Sequence, residues 1–123
     1  MTSYLRWIQK AKDDITLAKL AFENKIYDYA AFHAQQAVEK LLKAFLIYTG
    51  KPIRKTHDIA VLIEECKEID KSFEELYEIG AHYLTDFAVE VRYPSYFSVP
   101  KDNAKDAIKI AENVLEFILQ KIK

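Results

Sequence analysis

The run from Tyr29 to Tyr48, YAAFHAQQAVEKLLKAFLIY, constrains the fold more than any other part of the chain. Placing successive residues about 100° apart around a helix puts Ala30, Ala31, Ala34, Ala37, Val38, Leu41, Leu42, Ala44, Phe45, Leu46 and Tyr48 on one arc of more than half the circumference. A helix that apolar packs against neighbours on several sides, so it is central. The remaining strip carries Tyr29, His33, Gln36, Lys40 and Lys43, whose three- and four-residue steps align them along one edge. That edge faces either solvent or a site.

Other segments supply the neighbours. Two Gly and three Pro in 123 residues leave few breakers. A first helix near 3–24 carries Tyr4, Trp7, Ile8, Ala11, Ile15, Ala18 and Phe22 on one face. The short Asn24-Lys25 connection makes it antiparallel to the central helix, which stops at Gly50 with Pro52 beyond. A third helix is expected near 57–69, with Thr56 as N-cap and Asp58 in its first turn. A fourth begins at a Ser72/Glu75 capping box, with Asp70 as the alternative cap, and keeps Phe73, Leu76, Tyr77, Gly80, Leu84, Phe87, Ala88 and Val91 on one face up to Pro94. A last helix from about Asp102 to Ile122 repeats Ala104, Ile108, Ala111, Leu115, Ile118 and Ile122 at heptad spacing. The reading is one all-α domain over 1–123, an antiparallel four- to five-helix up-and-down bundle.

A chain of this length buries roughly two-thirds of its unfolded surface, so it folds without disulfides or a structural metal. Cys66 lies on the stripe Ile59, Leu62, Ile63, Cys66 and is expected to be a buried thiol, which suits a reducing, cytoplasmic compartment. The N-terminal residues lack the apolar core of a secretory signal, and no apolar run approaches the ~18 residues of a membrane span. A net charge of −1 gives no global field for nucleic acid, so any polyanion must meet a local patch.

Three blocks, Tyr29-Ala-Ala-Phe-His-Ala-Gln-Gln-Ala-Val-Glu-Lys, Lys55-Thr-His-Asp-Ile and Arg92-Tyr-Pro before a final amphipathic helix, resemble the HEPN family (higher eukaryotes and prokaryotes nucleotide-binding domain) over nearly the whole chain. The resemblance implies a helical bundle, frequent homodimers, and cytoplasmic work on nucleotides or RNA. It also implies a separately encoded minimal nucleotidyltransferase as partner, in some cases as a toxin–antitoxin pair. Ribonuclease members of the family carry an Arg, four to six residues, and then a His. Arg92 matches that Arg, but Tyr93, Pro94, Ser95, Tyr96, Phe97, Ser98 and Val99 follow it, and His33, His57 and His82 all precede it. The implied role is therefore a binding module. The enzyme alternative is an endoribonuclease in which the Arg92 cation works with a Tyr, His33 or His57. A structural dimer without a small ligand is the third alternative.

Candidate binding residues follow from chemistry. Arg92 can fork onto a phosphate while Tyr93 and Tyr96 stack on a base, or it can be a helix-end charge beside loop aromatics that cover the core. His33, Gln36, Lys40 and Lys43 form either a phosphate or partner edge or a solvated strip, and His57 joins Lys51, Arg54 and Lys55 near a helix start that is either an anion site or a basic loop. His82, Asp86 and Glu90 share a face at four-residue spacing and are read as solvated rather than as metal ligands. No cofactor is expected. The two glycines do not form a phosphate loop, and no Cys-x-x-Cys occurs.

Overall fold

The computed structural model describes residues 3–52, 55–87 and 98–122; Arg54, Glu90, Arg92, Tyr93, Pro94 and Tyr96 lie outside them. Helices α1 (Tyr4–Glu23) and α2 (Tyr27–Tyr48) form an antiparallel hairpin, in which Tyr4 meets Tyr48 and Phe22 meets Tyr27. Helix α3 (Ile59–Lys67) follows, then a 3₁₀ turn (Lys71–Glu74), a single-turn helix α4 (Glu75–Glu78) and a second 3₁₀ turn (Ala81–Leu84). The chain closes with α5 (Lys101–Lys121). Asp28 at the start of α2 accepts the Val99 N–H at 2.7 Å just ahead of α5, so α2 and α5 run parallel while α1 opposes both. That is the up-and-down bundle arrangement.

Helix α2 is the centre, and every residue of its expected apolar arc except Tyr48 is buried. Phe73 of the first 3₁₀ turn plugs the far side of the core, its ring 4.5 Å from Phe45 of α2 and 5.0 Å from Phe117 of α5. The expected stripe of α5 faces the core, with Ala104, Ile108, Ala111 and Ile118 buried and Leu115 and Ile122 packed at its edge, and Ala107 and Val114 widen the buried face to one side. Small residues on that face let α5 approach the alanine-rich flank of α2 closely.

Both ends of the α1–α2 hairpin close the same way. At α2, Gly50 has φ +88° and two crossed bonds, Gly50 N–H to Ile47 O and Lys51 N–H to Leu46 O, satisfy the last carbonyls. At α1, Lys25 takes the left-handed position at φ +62°, with Lys25 N–H to Phe22 O and Ile26 N–H to Ala21 O. An L-residue with a Cβ is strained there. The tightness of the two-helix connection enforces it.

Three local expectations are corrected. The cap of α3 is Asp58, which accepts from Ala60 N–H and Val61 N–H, whereas Thr56 accepts only the N–H of Asp58 itself. A carboxylate one residue before the helix reaches two free N–H groups and opposes the dipole, which a hydroxyl three residues before it cannot do. Asp70, rather than Ser72, caps the next segment. The expected fourth helix is broken within its described part: Gly80 adopts φ +79°, and the apolar face from Phe73 to Leu84 is presented by two 3₁₀ turns and one helical turn, while Ala88 and Val91 lie outside the described residues. A spacing of three to four residues fits 3₁₀ turns as well as an α-helix, so the pattern alone did not separate them.

Candidate functional site

Buried charge marks the candidate site. Among the described residues the buried polar side chains are Asp14, Gln35, Glu39 and Lys43, and all four line the contact of α2 with its neighbours. Burying a carboxylate without partners is costly, so each must be satisfied. Asp14, on the core face of α1, accepts from Lys40 Nζ at 2.5 Å and lies 3.0 Å from His33 Nδ1. Glu39, on α2, accepts from Lys43 Nζ at 2.8 Å and lies 2.8 Å from His57 Nδ1; Gln35 donates to its other oxygen at 3.3 Å. Gln36 donates to Gln35 at 2.7 Å. A carboxylate accepts only, so each imidazole presents a protonated Nδ1 to its acid and turns Nε2 away from it.

The expected edge therefore exists in altered form. His33, Gln36 and Lys40 are partly exposed and Lys43 is buried, so the strip is neither simply solvated nor a row of free cations. Two acids that the hydropathy pattern passes over hold it: Asp14 on one flank and Glu39 on the other. Asp14 was visible as an acid inside the apolar stripe of α1, between Ala11 and Ile15; Glu39 was visible four residues before Lys43. His57 joins the edge through Glu39 although 18 residues separate them.

The other candidates separate from it. Lys51 pairs with Glu68 at 3.0 Å. The start of α3 has its N–H groups taken: Asp58 accepts two, and Thr85 Oγ1 accepts that of Ile59 at 3.0 Å, which leaves that terminus poorly disposed toward an anion. His82 is half-buried rather than fully solvated as expected; its ring lies 5.0 Å from that of Tyr77 and 4.0 Å from that of Tyr83, with Nδ1 buried and unpartnered among the described residues. Asp86 is exposed. Cys66 is buried against the Leu42 carbonyl, and burial above all, with Glu65 adding to it, pushes its thiol pKa up to about 12. That thiol is inert. Arg92, Tyr93 and Tyr96 fall outside the described residues. No described helix is long and apolar enough to cross a membrane.

A helical hairpin with a polar edge ordered by buried acids, closed by a parallel last helix, is an all-α bundle. The HEPN domain model matches residues 4–122, and the chain belongs to the HEPN family. It is 33% identical over 131 aligned residues to "Putative toxin MJ1304" of Methanocaldococcus jannaschii, covering 95% of this chain and 86% of that protein. Two solved structures share the fold across essentially their whole length. One is ST0689, an archaeal HEPN homologue, with TM-score 0.79 and 25% identity over 100% of both chains. The other is TT1696 from Thermus thermophilus, with TM-score 0.85 and 26% identity over 98% of this chain and 99% of that one.

Proposed function

We propose that this HEPN-family protein is a phosphate-binding module for a nucleotide or RNA, acting as the toxin-type member of a pair with a minimal nucleotidyltransferase and working as a homodimer. The observation that carries the reading is the α2 edge, where Asp14 and Glu39 hold His33, Lys40, Lys43 and His57 in fixed positions. Of these, Lys40 is partly exposed and keeps N–H groups beyond the one given to Asp14, and a donor already held in place binds an anion without paying again to order a long side chain. Gln36 adds a neutral donor between the two flanks, and Arg92 with Tyr93 and Tyr96 supplies a cation fork and stacking rings by its place in the sequence. The similarity to a protein named as a toxin supports the pairing.

Binding of a labelled single-stranded RNA, followed by anisotropy, tests this. Lys40→Met, at a partly exposed position, weakens binding, and Arg92→Lys weakens it nearly as far as Arg92→Ala because the planar fork is lost. RNA and nucleotide binding that is absent in the parent protein leaves the structural-dimer reading. One observation favours an enzyme as second reading: His33 turns Nδ1 onto Asp14 as an acid-oriented general base would. RNA cleavage that His33→Ala abolishes, with binding retained, would select it.

A further inference from the structure

Beyond the two carboxylate clusters, the α1–α2 groove holds a cleft of about 240 Å³ lined by Arg6, Trp7, Lys10 and Lys40. We propose that this cleft is a subsite for one nucleotide unit, with its base against the Trp7 indole and its phosphate between Arg6 and Lys10; the proposal rests on the reading of the α2 edge as a nucleotide or RNA site and extends it.

Three observations converge. First, the lining is three basic side chains and one aromatic ring, and of the three Lys40 is paired with Asp14 while Arg6 and Lys10 are exposed. Arg6 and Lys10 are exposed one helical turn apart on α1, a spacing that lets both reach a single phosphate. Second, the Trp7 Nε1–H is shielded from solvent and meets no acceptor among the described residues, although buried indole N–H groups ordinarily find one. Third, the cleft is smaller than the roughly 300–1,000 Å³ that drug-sized ligands occupy, which fits a single heterocycle. Lys40 links the subsite to the edge: its Nζ is held by Asp14 at 2.5 Å while its side chain forms one wall of the cleft. A strand whose base stacks on Trp7 would carry its next phosphate toward Lys40 and His33. Stacking on an indole is tolerant of base identity, so the subsite contributes affinity rather than sequence choice.

Trp7 is the single tryptophan of the chain, so fluorescence excited to the red of tyrosine absorption reports on this cleft alone. The experiment titrates AMP, a short oligoadenylate RNA and inorganic phosphate, and follows the same oligoadenylate with a terminal label by anisotropy. The proposal expects saturable quenching of Trp7 by the oligoadenylate over the range in which anisotropy rises, and none by phosphate. Quenching by AMP at similar concentrations identifies a free nucleotide as the ligand; quenching by the oligomer alone identifies RNA. Arg6→Gln with Lys10→Gln, both at exposed positions, is expected to weaken the quenching titration at least about tenfold at low salt. Trp7→Phe keeps a stacking face and should bind more tightly than Trp7→Leu by anisotropy. Binding with Trp7 fluorescence unchanged overturns the subsite and leaves the α2 edge standing, whereas no binding by either readout overturns both.

Discussion

The two flanks of the molecule use charge in opposite ways. Residues 3–52 hold eight basic and five acidic side chains, and two of those acids, Asp14 and Glu39, are buried as the anchors of imidazoles and lysines. Residues 55–87 hold nine acidic and three basic side chains, and their pairs lie in solvent: Lys67 contacts Glu64 and Glu74, and the Tyr77 hydroxyl donates to Glu64 at 2.5 Å. The Tyr77 hydrogen bond, with Lys67 adding to it, lowers the Glu64 pKa, yet Glu64 remains open to water. Exposed pairs contribute little because water screens them, whereas a buried pair broken on one side leaves a charge with no solvent to take it. The hairpin flank thus carries an excess of basic side chains ordered by buried acids, and the α3–α4 flank an excess of acidic side chains paired mostly at the surface.

The sharpest way to break this contrast is to delete one acid from each flank. Glu39→Ala strands Lys43 in the interior and should cost about 3–5 kcal/mol in urea unfolding, while Glu64→Ala should leave the midpoint close to the parent's. Equal losses would mean that Glu39 is no better buried than Glu64 and that the edge is not anchored.

Asp70 sharpens the contrast from the acidic flank, because, like Asp58 at the start of α3, it is a carboxylate there that holds structure. It accepts from the Ser72 hydroxyl and backbone N–H and from Lys121 of α5 at 2.9 Å, and these contacts, the Ser72 hydroxyl foremost, lower its pKa to about 2. Because the folded-state value lies below the unfolded one, the stabilisation is fully present above about pH 4 and disappears as pH falls through 2. Asp70→Asn should therefore destabilise by about 1–2 kcal/mol at neutral pH, allowing for its partial exposure. The gap from the parent should close between pH 4 and 2. A gap that is independent of pH would place the loss in the Ser72 turn rather than in the charge.

The smallest effect has the opposite sign. Lys25 sits in the left-handed position that Gly50 fills at the other end of the hairpin, so Lys25→Gly should stabilise by about 1 kcal/mol in the same unfolding assay. Destabilisation would show that the Lys25 side chain supports the connection in a way that its backbone does not explain.

The strongly periodic elements were legible in the sequence, and the reasons are physical. The breadth of the α2 apolar arc identified the central helix, Gly50 ended it, and the family landmarks placed the whole chain. The stretch from Lys71 to Leu84 was not legible, because Phe73, Leu76 and Leu84 satisfy both helical and 3₁₀ spacing and only the left-handed Gly80 separates them. The α2 edge was half legible. His33, Gln36, Lys40, Lys43 and His57 stood out as polar groups, but the partners that fix them depend on tertiary contacts: Asp14 is 19 residues from His33, and Glu39 is 18 from His57. Sequence spacing reveals neighbours on one helix and is silent about what the next helix brings.

The central claim is that two buried carboxylates hold the imidazoles of the α2 edge. Long-range ¹H–¹⁵N correlation spectra of the three histidine rings test it most directly, because the ring-nitrogen shifts show which nitrogen carries the proton. The account predicts protonated Nδ1 in both His33 and His57, with Asp14→Asn changing the His33 ring alone and Glu39→Gln changing the His57 ring alone. Protonation on Nε2 only in the parent protein, or rings that ignore both substitutions, would contradict it.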